Sequence, residues 1–204
     1  MHTIIFDLGN VLIAWNPRLI YYKVFDTPQK ADWFIENITT LDWNEEQDRG
    51  RPITEATEVL VQKHPEWERE IRMYYDRWTE AFPGAIQGTV DILKTLHDSG
   101  NYRLLALTNW SAELFPWAKA NYPFLELFES IMVSGEVKMK KPDPEIYELL
   151  RTQYDLGNFS GCVFTDDSLR NVEGAIKAGL DSIHFQDPNQ LRNELIARGI
   201  QELG

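Results

Sequence analysis

Five short apolar runs, each of strand length and none alternating strictly with polar residues, constrain this chain more than any other feature. They lie at Thr3 to Phe6, Arg103 to Leu107, Ser130 to Val133, Gly161 to Thr165 and Ser182 to Phe185. A strand buried on one face alternates apolar and polar residues, whereas continuous apolar runs suit strands covered on both faces. Helical patterns lie between and after them, at Thr89 to His97, Ala112 to Asn121, Pro144 to Tyr154, Leu169 to Ala178 and Gln190 to Arg198. Gly100, Gly179 and Gly199 stand just past three of these as helix stops, and Pro116 predicts a kinked or shortened second helix. Strands alternating with helices in this way predict an α/β fold, a doubly wound parallel Rossmann-like sheet with right-handed crossovers.

Residues 16–82 break the rhythm. Four helical patterns occur there, at Pro17 to Phe25, Gln29 to Glu36, Thr54 to Lys63 and Glu66 to Ala81, with no convincing strand among them. They predict an all-helical cap inserted after the first strand, with a Rossmann-like core formed by residues 1–15 and 83–204. Such an insert leaves and re-enters the core near the C-terminal end of the first strand, over whatever that strand carries. Trp33, Trp67 and Trp78 are expected to pack cap helices, and Trp15 and Trp43 could line a substrate pocket.

The 204 residues, 43% of them hydrophobic, suffice for a substantial core. A net charge of -12 repels polyanions, so neither nucleic acid nor an anionic membrane is an expected partner, and any phosphate site must be local. The single cysteine, Cys162, excludes an internal disulfide and reads as a small buried apolar residue. No basic stretch precedes a long apolar segment and no run approaches the roughly 20 apolar residues of a membrane span, so a cytoplasmic location is expected. The sequons at Asn37, Asn109 and Asn158 read as chance, and His2, His64, His97 and His184 show no metal-ligand spacing. Nothing in the sequence speaks to oligomeric state.

Ligands of open parallel sheets bind at the carboxyl ends of the strands. Here the first strand ends at Asp7 in FDLGNV, the second at Thr108-Asn109 and the fourth at Asp166-Asp167. The third is followed by KMKKPDP, in which Lys141 precedes a predicted helix start with Asp143 as N-cap and Pro144 at the first helical position. An aspartate at the first of these ends suits attack on a phosphomonoester through an acyl phosphate, which splits one difficult displacement into two. Repulsion between that carboxylate and the phosphate calls for a divalent cation held by oxygen ligands. Asp7, the Gly9 carbonyl and an acid from Asp166-Asp167 would supply them. The Thr108 hydroxyl and the amides of Asn109 and Trp110, at the start of the next predicted helix, are candidate phosphate donors. Lys141 would neutralise charge on the transferring group, with Lys138 and Lys140 as solvated neighbours.

The order and context of DLGNV, LTN, KKPDPEIY and VFTDD followed by NVEGA resemble the haloacid dehalogenase superfamily of hydrolases. The insert resembles the helical cap of that superfamily's first cap type, and the DLGN form resembles its sugar-phosphate phosphatases, notably those acting on glucose 1-phosphate. The resemblance implies a Mg²⁺-dependent phosphomonoester hydrolase acting on a small phosphorylated metabolite such as a sugar 1-phosphate. It also implies that Asp167 is the direct metal ligand, while Asp166 orients Lys141 or a metal-bound water. Asn171 reaches the site from the first turn of its helix or is an ordinary surface amide. The alternatives are a metal-free 2-haloacid dehalogenase, which two adjacent acids near an anionic haloacid disfavour, and a catalytically silent binding protein.

One position departs from the pattern. Most phosphatases of the superfamily carry an acid-base aspartate two residues after the nucleophile, and this chain has Gly9 there. Two expectations follow: a leaving group that needs little protonation, such as an anomeric hydroxyl, or an acid supplied by the cap. The second would come from Asp42, Glu45, Glu46 or Asp48 near Trp43, set against the plainer reading of that stretch as a solvated acidic segment.

Overall fold

The computed structural model describes residues 2–204. At its centre is a five-stranded, wholly parallel sheet formed by β1 (His2–Phe6), β4 (Tyr102–Thr108), β5 (Ser130–Val133), β6 (Cys162–Asp166) and β7 (Asp181–His184), in the order β5-β4-β1-β6-β7. Successive residues of β1 enter different clusters: Ile4 and Phe6 join one, with Leu93 and Leu96 of α6 (Gln87–Ser99) and Leu191 and Leu195 of α11 (Pro188–Ala197). Ile5 joins another, with Ile146 and Leu150 of α9 (Pro144–Gln153) and Ala175 of α10 (Leu169–Lys177). Burial on both sides is why the strands read as continuous apolar runs. Cys162 is free and buried, as expected.

Between β1 and α6 the chain forms five helices: α1 (Arg18–Tyr21), α2 (Pro28–Asn37), α3 (Leu41–Asp48), α4 (Ile53–Lys63) and α5 (Glu68–Asp76). They gather a separate apolar cluster around Tyr21, Phe34, Leu60, Ile71, Tyr74 and Trp78. The chain enters and leaves this helical insert through two two-residue strands, β2 (Ile13–Ala14) and β3 (Gly84–Ala85), which pair antiparallel. No helix among the described residues is long and apolar enough to cross a membrane.

Several elements differ from expectation. Helix α3 falls where no helix is predicted, because the residues it buries are Trp43, Asn44, Glu45 and Gln47, a set with little apolar periodicity. Gln47 donates to the Tyr75 hydroxyl at 2.6 Å and accepts from Arg51 at 2.7 and 2.9 Å, so hydrogen bonds compensate the burial of polar groups. The long pattern at Glu66 to Ala81 divides at Arg77 into α5 and a turn of 3₁₀ helix. The predicted helix at Ala112 to Asn121 shrinks to α7 (Phe115–Asn121), with Pro116 in its first turn. A further short helix, α8 (Ser134–Val137), follows β5. Trp33 is exposed rather than packed, with its ring centroid 6.0 Å from that of Trp67.

Candidate active site

Asp7 follows β1 directly, and its amide donates to the Thr165 carbonyl of β6 at 2.8 Å, prolonging the ladder by one residue. The chain then turns sharply. The Leu8 carbonyl accepts from Leu12 and Ile13 at 2.9 Å each, and Asn10 takes the left-handed conformation that asparagine tolerates (φ 51°). This turn holds the Asp7 carboxylate at the sheet edge, where Oδ1 accepts from the Leu8 amide at 2.7 Å.

Lys141 reaches the same point from the loop before α9. Its ammonium is wholly buried and donates to Asp166 Oδ2 at 2.6 Å and to the Leu107 carbonyl at 2.8 Å, with Asp7 Oδ1 at 3.0 Å. Burial alone would lower the lysine's pKa, but Asp166 and Asp7 hold it above the ordinary value, so Lys141 stays charged. Asn109 fixes the lysine's backbone from both sides, donating to its carbonyl at 3.0 Å and accepting from its amide at 2.9 Å.

Asp7, Asp166 and Asp167 each present a carboxylate oxygen, and these three lie within 4.8 Å of one another. Their partners differ. Asp166 accepts from Lys141, from the Ser168 amide at 2.8 Å and from Asn171 Nδ2 at 3.1 and 3.2 Å. No basic side chain pairs with Asp167 among the described residues, and burial followed by repulsion from Asp166 pushes its carboxyl above the ordinary value. Burial likewise pushes Asp7 well up, against the pull of Lys141 and with the push of Asp166 and Asp167. Three clustered carboxylates facing one ammonium form a donor set that fits a hard divalent cation. Beside them the Thr108 hydroxyl is buried without a hydrogen-bond partner.

Some sequence expectations need correction. The Trp110 amide is committed to Ser134 Oγ at 2.9 Å, and because α7 starts only at Phe115, Asn109 and Trp110 do not sit at a helix N-terminus. Asp143 precedes α9 as expected but makes no side-chain cap; its carboxylate pairs instead with Arg49 at 2.8 Å. Lys140 is buried rather than solvated, and both it and Arg170 hold Glu45 of α3. Asn171 is buried on Asp166, so it is no surface amide. Trp43 donates its indole N–H to the Ala56 carbonyl at 3.1 Å within the insert's own cluster. Among the described residues no histidine joins a cluster of possible metal ligands.

A cavity opens between the insert and the sheet edge. Gly9, Asn109 and Trp110 line it from below, Trp15 and Phe82 at the crossing segments, and Asn44, Asp48 and Trp78 from the insert. The indole N–H groups of Trp15, Trp78 and Trp110 are all buried without an acceptor.

A model of the haloacid dehalogenase-like hydrolases matches residues 1–179, across the whole of this arrangement. The chain belongs to that family. It is similar to the sesquiterpene phosphatase astK of Aspergillus oryzae, with 28% identity over 184 residues that make up 90% of this chain and 89% of that protein. Among solved structures, this hydrolase superposes on a haloacid dehalogenase family enzyme of Bacteroides thetaiotaomicron in complex with magnesium and inorganic phosphate. The TM-score is 0.72 at 22% identity, covering 92% of this chain and 95% of the other. A dehalogenase with an intermediate complex superposes with a TM-score of 0.68 at 16% identity over 91% and 85% of the two chains. The fold is therefore shared with an enzyme that holds magnesium and phosphate and with a dehalogenase, and the side chains must decide the chemistry.

Proposed function

We propose that this hydrolase cleaves phosphomonoesters with Mg²⁺ through an aspartyl-phosphate intermediate. The observation that carries the reading is the cluster of Asp7, Asp166 and Asp167 around the buried Lys141 ammonium. A metal-free haloacid enzyme has no use for a third carboxylate beside an anionic substrate, whereas a cation-assisted phosphatase needs one. Asp7, the Gly9 carbonyl and Asp167 would hold the metal, whose positive charge would keep the clustered carboxylates ionised and offset their repulsion of phosphate. Asp166, saturated by Lys141, Ser168 and Asn171, orients the lysine.

Asp7 attacks phosphorus while Lys141 and the unpartnered Thr108 hydroxyl bind the equatorial oxygens, and water then cleaves the acyl phosphate. Asn109 acts by holding the Lys141 backbone. The helical insert, residues 16–82, serves as a cap on a core of residues 1–15 and 83–204, and closes the cavity over the nucleophile.

The substrate reading is a small sugar phosphate, such as a sugar 1-phosphate. Indole and phenyl faces suit the C–H faces of a sugar. The same aromatic walls favour a second reading, a terpenyl monophosphate, in line with the named activity of the Aspergillus oryzae relative. A phosphate-release panel with and without Mg²⁺, run on wild type and Asp7→Asn, tests the class. Metal-dependent release lost in the variant supports it, and metal-independent halide release from 2-haloacids overturns it. Sugar 1-phosphates, primary sugar phosphates and a terpenyl phosphate in one panel separate the substrate readings.

A further inference from the structure

Alcohol leaving groups depart as alkoxides unless a proton meets them, and the water that later attacks an acyl phosphate must give a proton up. In this hydrolase the groups around phosphorus are otherwise engaged. Lys141 is held by two carboxylates, Asp166 by three donors, and Asp7 and Asp167 face each other as a cation's ligand set. Two residues beyond the nucleophile, Gly9 offers no side chain, and a Cβ placed there would meet nothing within 4 Å.

Across the cavity from Gly9 stands the last residue of α3. Asp48 is the only ionisable residue among the cavity's walls, and no hydrogen bond or ion pair engages its carboxyl among the described residues. Its neighbours in the acidic stretch are unavailable: Lys140 and Arg170 hold Glu45, and Asp42 and Glu46 are exposed away from this cavity. We propose that Asp48, reaching down from the helical insert into the cavity over Gly9, is the general acid and base of the reaction. The proposal rests on the phosphatase reading above.

In the first step an Asp7 oxygen bonds to phosphorus, the ester P–O bond breaks and the Asp48 proton passes to the departing oxygen. In the second, water oxygen bonds to phosphorus, the acyl P–O bond breaks, the water proton returns to Asp48 and inorganic phosphate leaves. The surroundings suit this exchange. Burial and then Glu45 push the Asp48 carboxyl up to about 7, against the opposing pull of Lys140 and Lys141, while Tyr74 and Tyr75 face it from α5. A group that titrates near neutrality can both give and take a proton.

The test compares wild type, Asp48→Asn, Gly9→Asp/Asp48→Asn and Asp7→Asn on p-nitrophenyl phosphate, whose leaving group needs no proton, and on a primary alkyl phosphate, whose leaving group does. For Asp48→Asn the expected result is a fall on the order of 10²- to 10⁴-fold in alkyl phosphate turnover. Its pre-steady-state burst of p-nitrophenolate should persist at a rate near wild type, because the first step on that ester requires no acid. Placing a carboxyl over the open Gly9 position should recover alkyl phosphate turnover in the double variant. A merely structural role for Asp48 would not be rescued from a different loop. Equal loss of the burst and of alkyl turnover, unchanged alkyl turnover in Asp48→Asn, or absence of rescue overturns the proposal while Asp7-dependent release in wild type still stands. Absence of Asp7-dependent release in wild type overturns the phosphatase reading itself, and this proposal with it.

Discussion

The Lys141 ammonium donates to Asp166 Oδ2 at 2.6 Å, and neither side chain is exposed to solvent. Stranding a buried charge costs about 3–5 kcal/mol. Asp166→Ala leaves the Lys141 ammonium with Asp7 at 3.0 Å, so it should lose up to about that much stability in urea unfolding, together with its phosphatase activity. Asn171→Ala removes only a neutral donor to the same carboxylate, and should cost about 1 kcal/mol. Equal destabilisation by the two variants would show that the ion pair is not what holds the loop.

Both hydrogen bonds of the Asn109 side-chain amide go to the Lys141 backbone, which in the proposed reaction makes it a positioning group for the lysine. Asn109→Ala should leave the lysine charged but displaced, and a small displacement of a positioned group lowers kcat steeply. A fall of about 10²-fold in kcat with KM little changed is expected. Asn109→Asp keeps the acceptor for the Lys141 amide but sets a carboxylate against its carbonyl, so it should not rescue. A rise in KM alone would instead assign Asn109 to substrate binding.

The strand-end residues were legible because a strand buried on both faces announces itself as an apolar run, and Asp7, Thr108 and Asp166 follow from where those runs stop. The residues that join the insert to the sheet were not. Helix α3 buries the polar Asn44, Glu45 and Gln47, which pair with Tyr75, Lys140 and Arg170 far along the chain as well as with nearby Arg51, so no local apolar pattern marks it. Lys140 reads as solvated until Glu45, distant in sequence, is found beside it. The Trp110 amide reads from sequence as a donor at a helix start, but Pro116 shortens that helix to begin only at Phe115, and the amide goes to Ser134 Oγ, far along the chain. Gly9 posed the question of an absent acid, and only the cavity singled out Asp48 from three other carboxylates.

Magnesium should stabilise the protein as well as activate it. In its absence the Asp7 and Asp167 carboxyls are raised above their ordinary 3.8, so the folded state binds protons more tightly than the unfolded one. Stability then falls as pH rises from about 3.8 through the folded-state values. Added Mg²⁺ should reverse that fall, by about 2.7 kcal/mol at a free concentration of 100 times Kd. Thermal unfolding with and without Mg²⁺ near neutral pH should show a rise in Tm for wild type, a much smaller one for Asp167→Asn and an unchanged one for Asp42→Asn. An equal rise in all three would place the bound metal elsewhere.

Glu45 joins the helical insert to the loop before α9 and to α10 through Lys140 and Arg170, and its titration is opposite in sign. Burial alone would raise its carboxyl, but hydrogen bonds from Arg170 and Lys140 hold it below the ordinary 4.5. The stabilisation is therefore fully present above about pH 4.5 and is lost as pH falls through the lower, folded-state value. Glu45→Gln should cost about 1.5–3 kcal/mol at neutral pH, the range for hydrogen bonds to charged groups. Below the folded-state value protonation makes wild-type Glu45 neutral as well, leaving Lys140 equally unpaired in both proteins, so their stabilities should converge. Urea unfolding of the pair across the acid range checks this. Curves that stay parallel throughout would mean that Glu45 contributes by shape and neutral hydrogen bonding rather than by its charge.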